Sequence, residues 1–352
     1  MASQHASPQR IAIIGAGISG LTLASEIRAH SPHSEITVFD KSRGLAGRMA
    51  TRRADPFAFD HGTQFLTART PEFQAWLSPL LAKGHLAEWT GKVVSIHAPG
   101  HLEDRPWPEP HYVPTPAMTT LCKHMASEIE PPIHVALNSE VGPLYVRETG
   151  KFNRGWNLFD AGCSFLGAFD WVISTAPPLQ TRALFAPHLP TSSALGQAAM
   201  QGCFTLMLGF HQRWDRDWIL AKVKTDPKGT SANPIALIAI DSTKPMRNSK
   251  VTSIIVHSRN DWAQDHMDDD RDQIQAILLE ELASLTGIHG HKAAFLQLHR
   301  WRYAIAEPHE PAQPFLDPEL QLASTGDWCT ASRVEDAWLS ARSLAASLRN
   351  HL

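Results

Sequence analysis

The sequence predicts an α/β fold in two parts: a dinucleotide-binding domain on a parallel sheet, and a second domain built on a mixed or antiparallel sheet plus helices. Three observations predict it. Residues 11–40 read as strand, glycine turn, helix and second strand. The run Phe169-Asp170-Trp171-Val172-Ile173-Ser174-Thr175-Ala176 has the texture of a parallel strand buried on both faces, and Pro177-Pro178 breaks it. Beyond that break come longer strands of antiparallel type, at 203–210, 235–240, 251–257 and 293–301. A chain of 352 residues also exceeds one ordinary core.

The first domain opens with the apolar strand Ile11-Ala12-Ile13-Ile14 and the turn Gly15-Ala16-Gly17-Ile18-Ser19-Gly20. Gly15 allows a tight turn out of the strand, Gly17 leaves bare backbone for a pyrophosphate, and Gly20 lets the next helix pack closely. That helix, over 21–30, aims its unpaired N–H groups at phosphate. The second strand, Ile36-Thr37-Val38-Phe39, ends in Asp40, whose carboxylate can accept from both hydroxyls of an adenosine ribose. The basic loop Lys41-Ser42-Arg43-Gly44-Leu45-Ala46-Gly47-Arg48 follows.

Phe57-Ala58-Phe59-Asp60-His61-Gly62-Thr63-Gln64-Phe65 reads as a short strand entering a turn. Phe73, Trp76, Leu77, Leu80 and Leu81 have helical spacing over 70–83, with Pro71 where a first turn tolerates it. A further helix is predicted over 116–129, closed by Pro131-Pro132, then a strand at 133–137 and a strand pair over 144–158. Asp268-Asp269-Asp270 opens a helix to about residue 286, its acids suiting the positive end of the dipole rather than a metal. Leu320 to Asp327 reads as strand into turn, with a last helix from about Val334. The domain boundaries follow: residues 8–70, 133–180 and 318–352 form the discontinuous dinucleotide domain, and 71–132 and 181–317 the substrate domain.

The formal net charge of −3 supplies no basic surface for nucleic acid or anionic lipid, so neither partner is expected. Cys122, Cys163, Cys203 and Cys329 have no C-x-x-C or metal-ligand spacing, so neither a disulfide framework nor a metal site is expected. No run approaches a membrane span and residues 1–10 are polar, which together suggest a soluble cytoplasmic protein. The oligomeric state is not legible.

The glycine turn with Asp40, the Gly47-Arg48 step, the stretch from Phe59 to Phe65, and Gly326-Asp327-Trp328-Cys329 through Arg333-Val334-Glu335 resemble the FAD-dependent amine oxidase superfamily. More narrowly, with the 41–53 loop and His299-Arg300-Trp301-Arg302-Tyr303-Ala304, the chain resembles bacterial renalase-like proteins. The resemblance is most specific at 40–69 and 324–340 and looser between. It implies a Rossmann-like FAD-binding domain with a second domain on a mixed/antiparallel sheet plus helices, in a p-hydroxybenzoate hydroxylase/amine oxidase-like topology. A second Gly-Asp turn feeding a helix independently suits FAD, because NAD alone leaves that segment unexplained.

By this resemblance Asp327 binds the ribityl–phosphate portion of a non-covalent FAD, and the helix start at Val334 and Glu335 points at the flavin pyrimidine. Gly15, Gly17, Ile18, Ser19, Gly20, Asp40, Lys41, Gly47, Gln64, Gly326, Arg333 and Ala337 complete the expected cofactor contacts, with Val141 at the adenine. Arg48 can neutralise pyrophosphate, assisted by Arg43. Ala46, Thr63, Asp336 and Ala341 stand where the family often has glycine, alanine, glycine and glycine. The first two are tolerable if φ stays negative, whereas Asp336 opposes flavin anion formation unless it points outward and caps the helix. Cys329 beside Asp327 invites a covalent flavin, against the non-covalent pattern of the family.

Three functions remain open. The renalase resemblance implies oxidation of the 2- or 6-dihydro isomers of NAD(P)H to NAD(P)+, with O2 reduced to H2O2; loss of hydride from such a donor restores aromaticity and needs no general base. A flavin amine oxidase is the second reading, mildly disfavoured because only Tyr112, Tyr145 and Tyr303 are available as tyrosine rings. A non-enzymatic FAD-binding redox sensor is the third. The candidate catalytic residues are His257, Trp301 and Tyr303 at strand ends, with Gln64 and His61; Trp301 and Tyr303, two apart, share a strand face. Each also has a plain structural role open to it, as core aromatic or satisfied histidine.

Overall fold

The structure, a computed structural model, describes residues 8–148, 154–189, 195, 198–224 and 233–352. The chain divides into two compact units: Met1–Gly47, Cys122–Ala199 and Ala306–Leu352 in the first, Arg48–Leu121 and Met200–Ile305 in the second. The boundaries differ from those read in the sequence. Residues 48–70 belong to the second unit, because Asp60 is ion-paired there with Lys244 and Arg247 and Phe59 stacks on Phe295. Residues 122–132 and 306–317 belong to the first: Ile129 lies in its core, and the strand Phe315–Asp317 pairs with Leu322–Ser324.

The first unit is built on a six-stranded sheet in the order Phe315–Asp317, Leu322–Ser324, Trp171–Ser174, Arg10–Ile14, Glu35–Phe39, His134–Ala136. Every pairing is parallel except that of the Phe315–Asp317 edge. Ile11, Ile13, Val38, Trp171 and Ile173 are almost wholly buried, as a sheet covered on both faces requires. The first helix, Ile18–His30, packs on the terminal helix, Val334–Leu348, where Ser19 Oγ donates to the Ala337 carbonyl at 3.0 Å. The expected single strand at 169–176 is two elements: Trp171–Ser174 in this sheet, and Phe165–Phe169 in an antiparallel sheet with Arg154–Phe159 and Tyr145–Glu148. The turn of the strand pair expected at 144–158 lies outside the described residues.

The second unit is built on seven strands in the order Phe295–Ala306, Met200–Phe210, Thr252–Ser258, Ile235–Ile240, Trp218–Val223, Lys92–Ala98, His101–Asp104. The sheet is mixed, since Trp218–Val223 runs parallel to Lys92–Ala98. One face packs on the helix Arg271–Thr286 through Ile274, Leu278, Leu282 and Leu285. Asp270 caps that helix by accepting from the Asp272 and Gln273 N–H groups, and Gly287 ends it at φ +70°. The opposite face, with Met207, Ala239 and Ile255, is covered by Phe57 and Phe59 of the hairpin Thr51–Ala54/Phe57–Asp60. The helix expected over 116–129 spans Thr119–Ser127, because the Met118 and Thr119 N–H groups are donated to Asp60 Oδ1 and Thr51 Oγ1.

Candidate active site

In the first unit the chain leaves the strand Arg10–Ile14 through Gly15, at φ +112° with the Thr175 hydroxyl against it. Only glycine takes that backbone without strain. A methyl on Gly20 would collide with the Gly15 carbonyl oxygen, whereas nothing lies within 4 Å of one placed on Gly17. No side chain caps the helix Ile18–His30 and its first turn holds no acid, so its N–H groups remain open to an anion. Asp40 Oδ2 accepts from Ala16 N at 2.9 Å and Oδ1 from Ser42 N at 2.7 Å. The carboxylate is therefore rigidly placed, and each oxygen keeps a second lone pair for a ribose hydroxyl. Ser139 N donates to the Asp40 carbonyl, which brings Val141, bridged to Asp160, to the same strand end. Lys41 reaches Glu140 at 4.0 Å, and Arg43 is exposed.

Gly47 has φ +52°, close to the Gly17 Cα. Ala46 has φ +97°, so the negative φ on which its tolerance rested is not what this loop adopts. Its N–H donates to the Ala16 carbonyl at 2.9 Å, which draws the loop against the glycine turn and holds the alanine in a left-handed conformation. Thr63 is not among the residues of positive φ.

At the other end of the same unit, Gly326 is held against the Trp328 ring, and its carbonyl accepts from Ser340 Oγ at 2.8 Å. Asp327 is buried at 4 % exposure, with Val334, Glu335 and Ala337 on the terminal helix behind it. Asp336 does cap that helix: Oδ2 accepts from Arg333 N at 2.8 Å, and both carboxylate oxygens accept from the Arg333 guanidinium. Arg333 Nη1 also lies 3.5 Å from Glu335 Oε2, so one guanidinium engages both acids of the first turn. Burial pushes the Cys329 thiol up to about 11, which removes the thiolate that a covalent flavin link needs.

The residues of this unit fit FAD. The bare Gly17 backbone, the uncapped helix and the fixed Asp40 suit its adenosine diphosphate portion. Near Asp327, Trp328 Nε1 and Thr330 Oγ1 are buried without hydrogen-bond partners, as groups awaiting a polar ligand are.

The second unit brings His61, Gln64, His257 and Trp301, four of the five candidate catalytic residues, onto two linked clusters. His61 stacks on Trp301 with centroids 5.2 Å apart and an interplanar angle of 26°, and Trp301 Nε1 donates to the His61 carbonyl at 3.1 Å. His299, two residues before Trp301 on the strand Phe295–Ala306, meets both rings edge-on. Tyr303 continues this face of the strand. Gln64 Nε2 donates to the Asp60 and Gly62 carbonyls and lies 3.5 Å from His257 Nε2. Arg48, expected on the pyrophosphate, spends Nη1 on the Ala304 carbonyl at 3.0 Å.

Behind Gln64 lies a buried ion network invisible to sequence reasoning. Asp60 accepts from Lys244 Nζ at 3.0 Å, Arg247 Nη2 at 2.7 Å, Thr51 Oγ1 at 2.6 Å and Met118 N at 3.1 Å. Asp241 meets Lys244 Nζ at 2.6 Å, so two acids and two bases balance. Burial alone would raise the Asp60 pKa, yet the Lys244 and Arg247 charges overcome it and hold the carboxyl below the usual range. Burial, then the Asp60 charge, raises Asp241. Lys244 Nζ also donates to Gln64 Oε1 at 3.4 Å, which ties the network to the imidazole cluster.

Burial lowers His61, His257 and His299 to about 4 each, helped by Arg52 at His61, by Lys244 at His257, and by His61, Arg52 and Arg271 at His299. The cluster is therefore neutral at physiological pH. His299 was missed as a candidate; its alternation with Trp301 along one strand was the available signal.

Among the described residues no group of three or more His, Cys, Asp or Glu is placed to hold a metal ion, and no helix is long and apolar enough to cross a membrane.

Comparison with known proteins agrees with this architecture. Residues 13–80 match the NAD(P)-binding Rossmann-like domain, and residues 96–349 match the flavin containing amine oxidoreductase family. A 4,4'-diapophytoene desaturase of Staphylococcus aureus (strain Newman) is 42% identical over 53 residues, 15% of this chain and 10% of the relative. The chain thus matches about a tenth of the length of such curated relatives. Among solved structures, a candidate protoporphyrinogen oxidase from Exiguobacterium sp. 255-15 superposes with TM-score 0.78 at 13% identity over 100% of both chains. Cyclohexylamine oxidase from Brevibacterium oxydans IH-35A gives TM-score 0.71 at 12% identity over 97% of this chain and 99% of the other. These likenesses bear out the expected fold class. With the family match extending over most of its length, the chain belongs to the flavin containing amine oxidoreductase family, and FAD is the flavin that the residues of its first unit fit.

Proposed function

We propose that this protein is a renalase-like oxidase that takes a hydride from the 2- or 6-dihydro isomers of NAD(P)H and releases NAD(P)+. The observation that carries the reading is the neutral, aromatic surface of His61, His299 and Trp301, which offers a planar donor a stacking face and only weakly basic rings. A dihydropyridine needs only that: its ring nitrogen pushes electrons as the C–H bond leaves with its electron pair, and the ring becomes aromatic without losing a proton. FAD held by the first unit would supply the hydride acceptor, and O2 would take the electron pair together with the hydrogen that came as hydride and one proton from water, giving H2O2.

On this reading Trp301 and His61 bind and orient the donor ring. Gln64 and His257, anchored through Lys244, position the donor's carboxamide, and Tyr303 closes the strand end. Oxidation of amines, which the family name carries, is the second reading. Such a reaction calls for two rings with an amine between them, and His61 and Trp301 instead stack directly on each other.

The test is anaerobic rapid mixing of the flavoprotein with β-NADH, 6-dihydroNAD and a panel of primary amines, followed at the flavin absorbance. The proposal requires fast bleaching by the dihydro isomer and slow or absent bleaching by amines. Fast bleaching by amines alone overturns it. Stoichiometric reduction without turnover in air points to a redox sensor instead.

A further inference from the structure

We propose that Lys222 is the residue of the second unit that selects a phosphorylated donor: it ends an open strip that crosses the seven-stranded sheet from His257, and it binds the pyrophosphate of a dinucleotide substrate. The inference rests on the dihydronicotinamide reading above and extends it from the reacting ring to the remainder of the substrate.

The strand register builds the strip. Thr205 pairs with His257, His257 with Leu237, and Leu237 with Lys222. Residues directly opposite one another share a face of the sheet, so these four form one row. Two residues along each strand, Met207, Ile255, Ala239 and Leu220 lie in the core cluster that contains Phe57 and Phe59. Val256, Ile238 and Ala221, the alternate residues, lie instead in the cluster on the helix Arg271–Thr286. Lys222 is therefore on the face away from that helix, two strand spacings, or roughly 10 Å, from His257. The row of Met207, Ile255, Ala239 and Leu220 is buried throughout, whereas His257, Leu237 and Lys222 are each only half-buried. Phe65, next to Gln64 in the chain, packs with Trp107 against the same cluster as Leu237. The strip thus offers an imidazole at one end, apolar side chains between, and an ammonium at the other end.

The charge that ends the strip is uncompensated. Among the described residues Lys222 has neither a hydrogen-bond acceptor nor a carboxylate partner, and the same holds for Arg105. Lys222 also pairs with Ser95, and the acids beyond it are engaged elsewhere: Glu103, opposite Ser95, meets His97 at 2.7 Å, Asp104 meets Lys92 at 3.1 Å, and Glu109 meets Arg69 at 2.7 Å. Arg105, whose N–H donates to the Val93 carbonyl at 2.8 Å, adds a second positive charge one strand further out. Burial, and then the charges of Arg105 and Lys224, lower the Lys222 ammonium accordingly. An anion arriving there relieves that repulsion. A dinucleotide whose ring lies on the aromatic surface and whose chain follows the strip brings its pyrophosphate to this ammonium, whereas a protonated amine meets a like charge.

The experiment uses the FAD-loaded protein, so that the cofactor's own pyrophosphate site is filled. NAD+ and nicotinamide riboside are titrated calorimetrically into the wild type, Lys222→Met and Lys222→Arg. In parallel, anaerobic bleaching is followed with 6-dihydroNAD and with the phosphate-free 6-dihydronicotinamide riboside. Lys222→Met is expected to weaken NAD+, and to raise the 6-dihydroNAD concentration for half-maximal bleaching, by about tenfold. The limiting bleaching rate and the affinity for either riboside are expected to hold, and Lys222→Arg, which keeps the charge, to restore most of the loss.

A wild type that does not bind NAD+, or a Lys222→Met protein that handles NAD+ and 6-dihydroNAD as the wild type does, overturns the proposal; bleaching by the dihydro riboside shows in the same experiment that the reaction stands. If Lys222→Met weakens NAD+ yet no dihydronicotinamide bleaches the flavin, the role of Lys222 stands and the reaction is wrong. A loss shared equally by NAD+ and the riboside marks a disturbed sheet rather than a phosphate contact, and also overturns the proposal.

Discussion

Replacing Asp60 by asparagine tests the buried network from which the candidate site is hung. The substitution keeps shape and removes one charge. Lys244 and Arg247, at 0 % and 3 % side-chain exposure, are then left with Asp241 alone, and one positive charge is buried without compensation. Breaking such a pair destabilises by about 3–5 kcal/mol. Because Asp60 is held below the usual carboxylate range, its contribution is fully present above the unfolded-state value of about 4 and is lost as pH falls below it toward the folded pKa. D60N is therefore expected to lose roughly 10 °C of thermal midpoint at pH 7 and to lose less, relative to wild type, as pH falls below about 4. Adding Lys244→Met, which restores the charge balance, should make the double variant less unstable than the two single losses summed. Scanning calorimetry between pH 3 and 7, with each transition assigned by variant, measures all of this. A D60N protein within about 1 kcal/mol of wild type at pH 7 would refute the reasoning.

Three further outcomes are expected. Gly20→Ala drives a methyl into the Gly15 carbonyl and should destabilise the first unit, whereas Gly17→Ala meets no protein atom and should fold normally but release FAD more readily; equal stability losses in both, measured by thermal melts beside flavin content, would contradict the assignment. His61, His257 and His299 titrate near 4, so flavin reduction by a neutral donor should be flat from roughly pH 5.5 to 8. Stability should fall as pH drops below about 6.5, because the unfolded chain takes up protons that the folded rings refuse until about pH 4; an ionisation near 6.5 in the reductive rate argues against neutral rings. Acid precipitation should leave all flavin in the supernatant for both wild type and Cys329→Ala, since the thiol is held protonated; flavin retained in the wild-type pellet alone would reveal a covalent link.

The grip was legible because Gly15 takes a positive φ, Gly20 leaves no room for a Cβ, and Gly17 keeps the bare backbone that a pyrophosphate needs. The conformation of Ala46 was not, since its left-handed φ is imposed by a hydrogen bond to Ala16, thirty residues earlier in the chain. In the same way the mixed character of the second sheet depends on pairing Lys92–Ala98 with Trp218–Val223, a long-range choice that leaves no local pattern. The Asp60–Lys244 pair joins residues 184 apart, and a buried lysine looks like any other in a sequence. Asp336 was readable as a hazard to reduced flavin; Arg333, three residues before it, supplies the charge and the N–H that turn it into a helix cap.

The central claim is tested most directly by an anaerobic titration of the flavoprotein with 6-dihydroNAD, following flavin absorbance and NAD+ together. One equivalent of donor should bleach one flavin and yield one NAD+, and admitting air should restore the colour with one H2O2 formed. A flavin that stays oxidised with that donor present, and bleaches with a primary amine, would contradict the account.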